Sequence, residues 1–230
     1  VSDAARLLTV MAGSDPEDAA TKEADAKKED YSKALDASAL KGKRIGVLRY
    51  MMGYNADTDA VFEDALKAMQ AAGAELVDIK DDPDRRAAGQ AEGIVLKAEF
   101  KAQINDYLGS TPEDRVKVRS LEDLVKFNRE TPEELRYFGQ NTLEECLKAP
   151  GLTDKAYLDA KAAAKRLSGP EGIDRMLKAS NTVALVAPTG GPAWLTDLVT
   201  GDHFLGSSSS LAAQAGYPHI TVPMGESMGL

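Results

Sequence analysis

Short apolar runs and long amphipathic stretches follow one another along this chain, and their order predicts most of its elements. Residues 43–50 (KRIGVLRY) are a short apolar run flanked by cations, which reads as a strand. Residues 57–73 carry Val61, Leu66 and Met69 with alanines between them, an amphipathic helix that Gly73 closes. Residues 75–79 (ELVDI) read as a second strand. Strand, helix and strand in this order make a βαβ unit with parallel strands. Ahead of it, Val1, Ala4, Ala5, Leu8 and Met11 fall at helical spacing over residues 1–12, with Ser2 or Asp3 as cap. A turn signal occupies 13–16, and the charge-mixed stretch 17–37 reads as a solvated linker.

The middle of the chain, 81–170, is mainly helical in pattern. The spacing predicts helices over 87–108, 121–129, 132–147 and 157–167, with Gly169-Pro170 breaking the last and 172–180 following it. Thr111-Pro112-Glu113 and Thr131-Pro132-Glu133 each place threonine before proline, the cap and first-turn chemistry of a helix start. After the middle come a strand at 183–187, a long loop, a small-residue helix at about 207–215 and a strand at 219–222. The expected organisation is one partial domain. Residues 1–80 hold the opening helix, linker and βαβ unit, 81–180 are a helical insert, and 181–230 hold strands and a pocket-wall loop.

Charge and cysteine usage narrow the function classes. The formal net charge is −9, so phosphate-rich nucleic acid and anionic membranes would be repelled. No apolar run approaches the roughly 20 residues of a membrane span. The single cysteine, Cys146, excludes an internal disulfide framework. It sits among acids in NTLEECLKA, a setting that disfavours the thiolate, and reads as a packing or surface residue. The chain starts at Val1, already inside a helical pattern, and stops at SMGL just after a strand and turn. Both ends suggest an internal fragment. No leader is visible and no compartment is assigned.

A search for catalytic motifs is mostly negative. There is no G-x-S-x-G elbow, no Walker A loop, no G-x-G-x-x-G after a strand and no H-E-x-x-H. His203 and His219 are the only histidines and lack the clustered partners of a metal site. The run Ser207 to Ser210 either supplies a nucleophile near a glycine-lined oxyanion hole or caps the helix that follows, and capping is the commoner use of serine there. Asp202-His203-Phe204 lies in the long loop, where binding residues concentrate, though a turn aspartate, a surface histidine and a core phenylalanine would read the same. Trp194 either walls a pocket or anchors the loop.

Four segments carry a resemblance. VALVAPT (183–189) followed by a Pro-rich loop, AAQAGYPHITVPMG (212–225), VSDAARLLTVMAGSDPEDA at the start and LKGKRIGVLR (40–49) occur in the order found in the amidase signature family. The wording GPAWLTDLVTGDHFLGSSS resembles peptide amidases, which hydrolyse C-terminal peptide amides. The resemblance implies an α/β fold with a mixed β-sheet covered by helices. It implies an amide hydrolase with a Ser–cis-Ser–Lys triad, no metal and no cofactor, acting on a small amide or peptide amide. In the family those three residues precede the helix that opens this chain, so no catalytic residue carries over, and the chain alone is expected to be inactive. Trp194, Asp202, His203 and Phe204 are expected to line the substrate pocket. The alternative is a non-catalytic binding module derived from an amidase. A true fragment would leave sheet edges uncovered, which favours pairing into a homo-oligomer.

Overall fold

Arg44–Leu48 is the middle strand of a three-stranded parallel sheet. The structure is a computed structural model and describes residues 1–82, 84–227 and 229; Met228 and Leu230 of the closing SMGL lie outside the described residues. In chain order the elements are α1 (Ser2–Met11), α2 (Ala24–Lys27), β1 (Arg44–Leu48), α3 (Ala56–Ala71), β2 (Glu75–Ile79), α4 (Arg85–Ser110), α5 (Leu121–Glu130), α6 (Asn141–Leu147), α7 (Lys155–Ser168), α8 (Arg175–Ser180), β3 (Ala184–Val186) and α9 (Ser210–Ala215). The strand order is β2-β1-β3. β1 runs parallel to β2 from Arg44 opposite Glu75 to Leu48 opposite Ile79. It runs parallel to β3 from Ile45 opposite Ala184 to Val47 opposite Val186. The fold is α/β, with the βαβ unit where the apolar pattern put it.

Alternation along β1 divides the core into two faces. Val47 points toward α3 and packs with Phe62 and Leu66, joined by Leu76, Val186 and Met224. Leu48 points the other way and packs with Met51, Met176 of α8 and Leu211 of α9. Each such side chain contributes roughly 1.5–3 kcal/mol on burial. α3 starts cleanly because the Asn55 side-chain oxygen accepts the Thr58 N–H (2.8 Å). Arg44 ties β1 to the end of α8, donating to the carbonyls of Asn181 (3.0 Å) and Ser180 (3.2 Å). These carbonyls would otherwise lack a partner at a helix C-terminus.

The remaining helices make their own contacts. α4 and α7 meet on alanines, Ala91 against Ala160 and Ala164, which lets their backbones approach closely. The buried Tyr157 hydroxyl donates to Glu99 (2.7 Å), and Lys161 reaches both (2.9 Å each). Cys146 is buried among Leu121 and Val125, so it is a packing residue.

Several expectations fail for identifiable reasons. Residues 132–140 do not join α6. Thr111 and Thr131 each end a helix instead of starting one, with extended ψ values of 155° and 90°. A following proline disfavours the helical region for the residue before it. Gly169-Pro170 does not break the chain's helical course. A π-turn at Gly169–Asp174 carries α7 into α8, and it needs Gly172, where a Cβ would lie 2.6 Å from the Leu167 carbonyl oxygen. Ser2 and Asp3 do not cap α1, whose cap position is Val1 with no side-chain bond. The strand expected at 219–222 forms no ladder. The segment runs near β3, since the Thr221 and Thr189 hydroxyls are 3.2 Å apart, but β3 pairs only with β1 among the described strands.

A buried ion pair joins the start of the helical layer to its end. Asp82, between β2 and α4, is 1% exposed in its side chain and accepts from Arg175 of α8 (3.1 Å), which is 41% exposed. Burial raises the Asp82 carboxyl above its ordinary range, with the Asp84 N–H and Arg175 opposing. The two partners therefore differ in what their loss leaves behind. Arg175→Met strands a carboxylate away from water and is expected to cost about 2–4 kcal/mol in urea unfolding, whereas Asp82→Asn leaves a cation that water reaches and is expected to cost under about 1 kcal/mol. Equal costs for the two variants would contradict this asymmetry.

Candidate functional site

The long loop follows the carboxyl end of β3. In open α/β sheets, ligands bind outside the carboxyl ends of strands where the order reverses, here between β1 and β3. The chain leaves β3 through the buried Pro188 and enters a loop closed at its base. Gly190 and Ser207 form an isolated antiparallel bridge, and the Ser208 N–H donates to the Thr189 carbonyl (3.2 Å). Residues 190–207 are thus a compact surface loop whose ends meet.

All four sequence-predicted residues fall inside this loop, and the structure brings them together. The Trp194 indole N–H donates to Asp202 Oδ1 (3.1 Å). The Trp194 and Phe204 rings meet edge to face, with centroids 6.2 Å apart and an interplanar angle of 79°, an arrangement favoured by their quadrupoles. His203 Nε2 lies 3.4 Å from Asp197 Oδ2 and 3.3 Å from the Thr200 hydroxyl. Phe204 does not plug the core: it is 64% exposed.

Asp197 organises the loop, and the sequence reading missed it. Its carboxylate accepts the Val199 N–H (2.8 Å), the Thr200 N–H (3.0 Å) and the Thr200 hydroxyl (2.6 Å). The Thr200 hydroxyl and N–H, then the Val199 N–H and His203, hold its carboxyl well below the usual carboxylate range. The signal was present as Asp197 followed by Thr200 in TDLVTG, an aspartate placed to bond the backbone just after itself. The loop's polar groups bond to one another, and its aliphatic side chains stand out in solvent. Leu195 is 90% and Val199 93% exposed. A polar frame carrying an aromatic pair and exposed aliphatics can grip an apolar side chain and leave hydrogen bonding to its rim.

The serine run stands at the start of α9, where the capping reading puts it, but the bonding differs from a simple cap. The residue capping α9 is Ser209, and its side chain makes no cap bond. The Ser207 hydroxyl instead accepts the Ser209 N–H (3.3 Å) and lies 2.9 Å from the Ser209 hydroxyl. Ser207 is thus part of the loop's neck. Among the described residues no lysine amino group hydrogen-bonds a serine hydroxyl; the lysine donors end on carboxylates, on backbone carbonyls or on Tyr157. No group of three or more His, Cys, Asp or Glu is arranged to hold a metal among the described residues. A surface groove of about 610 Å³ is lined by Pro170, Glu171, Asp174, Arg175, Lys178 and Ala179 and contains none of the predicted site residues.

Comparison with known proteins gives this geometry its setting. The family model described as Amidase matches residues 1–229. The chain belongs to the amidase family. As an amidase-family chain it superposes on a crystal structure of native peptide amidase from Stenotrophomonas maltophilia with a TM-score of 0.82 at 41% identity, over 99% of this chain and 46% of that one. A peptide amidase in complex with the competitive inhibitor chymostatin gives a TM-score of 0.86 with the same identity and coverage. A probable amidase of Arabidopsis thaliana is 30% identical over all of this chain and 41% of its own length. The chain therefore spans under half the length of these relatives. No helix among the described residues is long and apolar enough to cross a membrane.

The Asp197 network predicts how the loop responds to acid. A carboxyl whose folded-state pKa is depressed contributes order that is present above its ordinary value and is lost as pH falls through the depressed one. Loss of the Asp197 network is expected only in strong acid, below the ordinary carboxylate range, and is expected to appear as the last change in Trp194 emission. Asp197→Ala is expected to show the acid-form emission already at neutral pH, with the far-UV circular dichroism unchanged. Parent-like emission from a folded Asp197→Ala chain would remove Asp197 from this role.

Proposed function

We propose that this chain is the pocket-wall portion of an amide hydrolase acting on small amides or C-terminal peptide amides. The observation that carries the reading is the 41% identity to peptide amidase across 99% of the chain, together with a closed loop that gathers Trp194, Asp202, His203 and Phe204. The hydrolysis runs through a Ser–cis-Ser–Lys triad whose members lie outside residues 1–230. A nucleophilic serine attacks the carbonyl, the bridging serine and the lysine move the proton, and backbone N–H groups stabilise the oxyanion. The absence of any lysine–serine hydrogen bond among the described residues supports placing that triad elsewhere.

Within this reading the residues of the loop bind and orient. The Trp194–Phe204 pair offers an apolar wall to a side chain next to the scissile amide. Asp202 orients Trp194 through the indole N–H, and Asp197 keeps His203 in place at the rim. Residues 81–180 form the helical insert that shapes access to the pocket.

Two outcomes test the proposal. In the full-length enzyme, Trp194→Ala and Phe204→Ala are each expected to raise KM for a C-terminal peptide amide roughly tenfold, about 1.4 kcal/mol of binding, with kcat nearly retained. The purified 230-residue chain is expected to release no ammonia from the same substrate. Unchanged kinetic constants in both variants, or inhibitor-sensitive hydrolysis by the chain alone, would overturn the assignment. An upstream reading frame without a lysine and a Gly/Ser-rich segment would favour a binding module.

A further inference from the structure

The neck of the 190–207 loop is formed by close approaches that leave little room for side chains. A Cβ on Gly190 would lie 3.2 Å from the Gly206 carbonyl oxygen, and one on Gly191 would lie 3.2 Å from Leu205 Cβ. A Cβ on Gly206 would lie 3.0 and 3.1 Å from two ring carbons of Tyr54. Gly206 also has φ of +147°, a conformation that side-chain-bearing residues rarely adopt. The first two approaches are internal to the loop and shape it without orienting it. The third comes from a different part of the chain.

Tyr54 sits in the turn between β1 and α3, and local chemistry fixes that turn. Asn55 caps α3, and the Asp59 carboxylate accepts the Gly53 N–H (3.0 Å). The Tyr54 hydroxyl is buried with no hydrogen-bond partner, so the ring is held by packing and the turn behind it. The ring projects from the βαβ unit, and Gly206 lies against it. The loop's own bonds, centred on Asp197 and on the Trp194–Asp202 contact, fix its interior; the Gly190–Ser207 bridge and the Ser208–Thr189 bond close its base, and the Tyr54 contact adds a support from the βαβ unit.

We propose that Tyr54 is the positioning residue of this loop: its ring, seated against Gly206, sets the direction in which Trp194 and Phe204 leave the sheet. The consequence for substrate rests on the loop being a pocket wall, whereas the contact itself does not. Tyr54 acts through the loop and touches no reacting atom in this account.

Trp194 is the chain's only tryptophan, so its fluorescence reports this loop directly. In the 230-residue chain, Tyr54→Ala is expected to raise acrylamide quenching of Trp194 at least about twofold and to lower its anisotropy, as a locally released loop requires. Tyr54→Phe keeps the ring and is expected to match the parent. If the alanine variant does not fold, Gly206→Ala decides, because its methyl meets the ring and must shift the neck. Parent-like quenching in a folded Tyr54→Ala chain, or in Gly206→Ala, overturns the proposal, as does a Tyr54→Phe chain released as far as the alanine variant. In the full-length enzyme, Tyr54→Ala is expected to raise KM and spare kcat. Released fluorescence with an unchanged KM would leave the positioning role standing and remove the pocket-wall reading.

Discussion

β1 is the constraint on which the rest of the structure depends. It is hydrogen-bonded along both edges, to β2 and to β3, and buried on both faces through Val47 and Leu48. A strand in that position cannot slip by one residue, because the slip would bring a side chain to the place of Gly46, where a Cβ would lie 2.7 Å from Leu185 and 2.9 Å from Ile79. Its register fixes where both of its ends lie, and the neighbouring segments take their positions from them. The turn carrying Tyr54 follows it, α8 is tied to its beginning by Arg44, and β3 delivers the chain into the 190–207 loop.

An exposed loop that keeps apolar side chains in solvent faces a structural problem. An apolar loop would collapse onto the core, and a polar one would offer little to an apolar ligand. Here Asp197 satisfies two backbone N–H groups and a hydroxyl, and Asp202 satisfies the Trp194 indole. The polar demand is met inside the loop, which leaves Leu195, Val199 and Phe204 facing outward. The loop can therefore hold its shape without burying the surface it presents. The Amidase family model matches residues 1–229, and the chain superposes on a peptide amidase with a TM-score of 0.86.

Periodicity made the βαβ unit legible, because β1, α3 and β2 each bury one well-patterned face. The family resemblance and the grouping of Trp194 with residues 202–204 were legible as well, since the loop that holds them is continuous in sequence. Three features were not. The π-turn at Gly169–Asp174 uses Gly172 to pass a carbonyl, a steric fact that a Gly-Pro pair conceals. The threonines before Pro112 and Pro132 look like helix starts, yet the Thr111 hydroxyl donates back to the Leu108 carbonyl (2.7 Å) at the end of α4. Residues 219–222 have the composition of a strand but no pairing partner among the described strands, and composition cannot supply one. Tyr54 was invisible for a related reason: 152 positions separate it from Gly206 (206 minus 54), and only the folded sheet brings them together.

The central claim is that residues 190–207 form the wall against which a peptide amide is held. Its most direct test is photo-crosslinking of the full-length enzyme with a peptide amide carrying a benzophenone on its C-terminal side chain, followed by mass-spectrometric mapping. Labelling is expected within 190–207, at Trp194, Leu195, Val199 or Phe204, suppressed by unlabelled peptide amide. Suppressible labelling confined to residues outside this loop would contradict the claim.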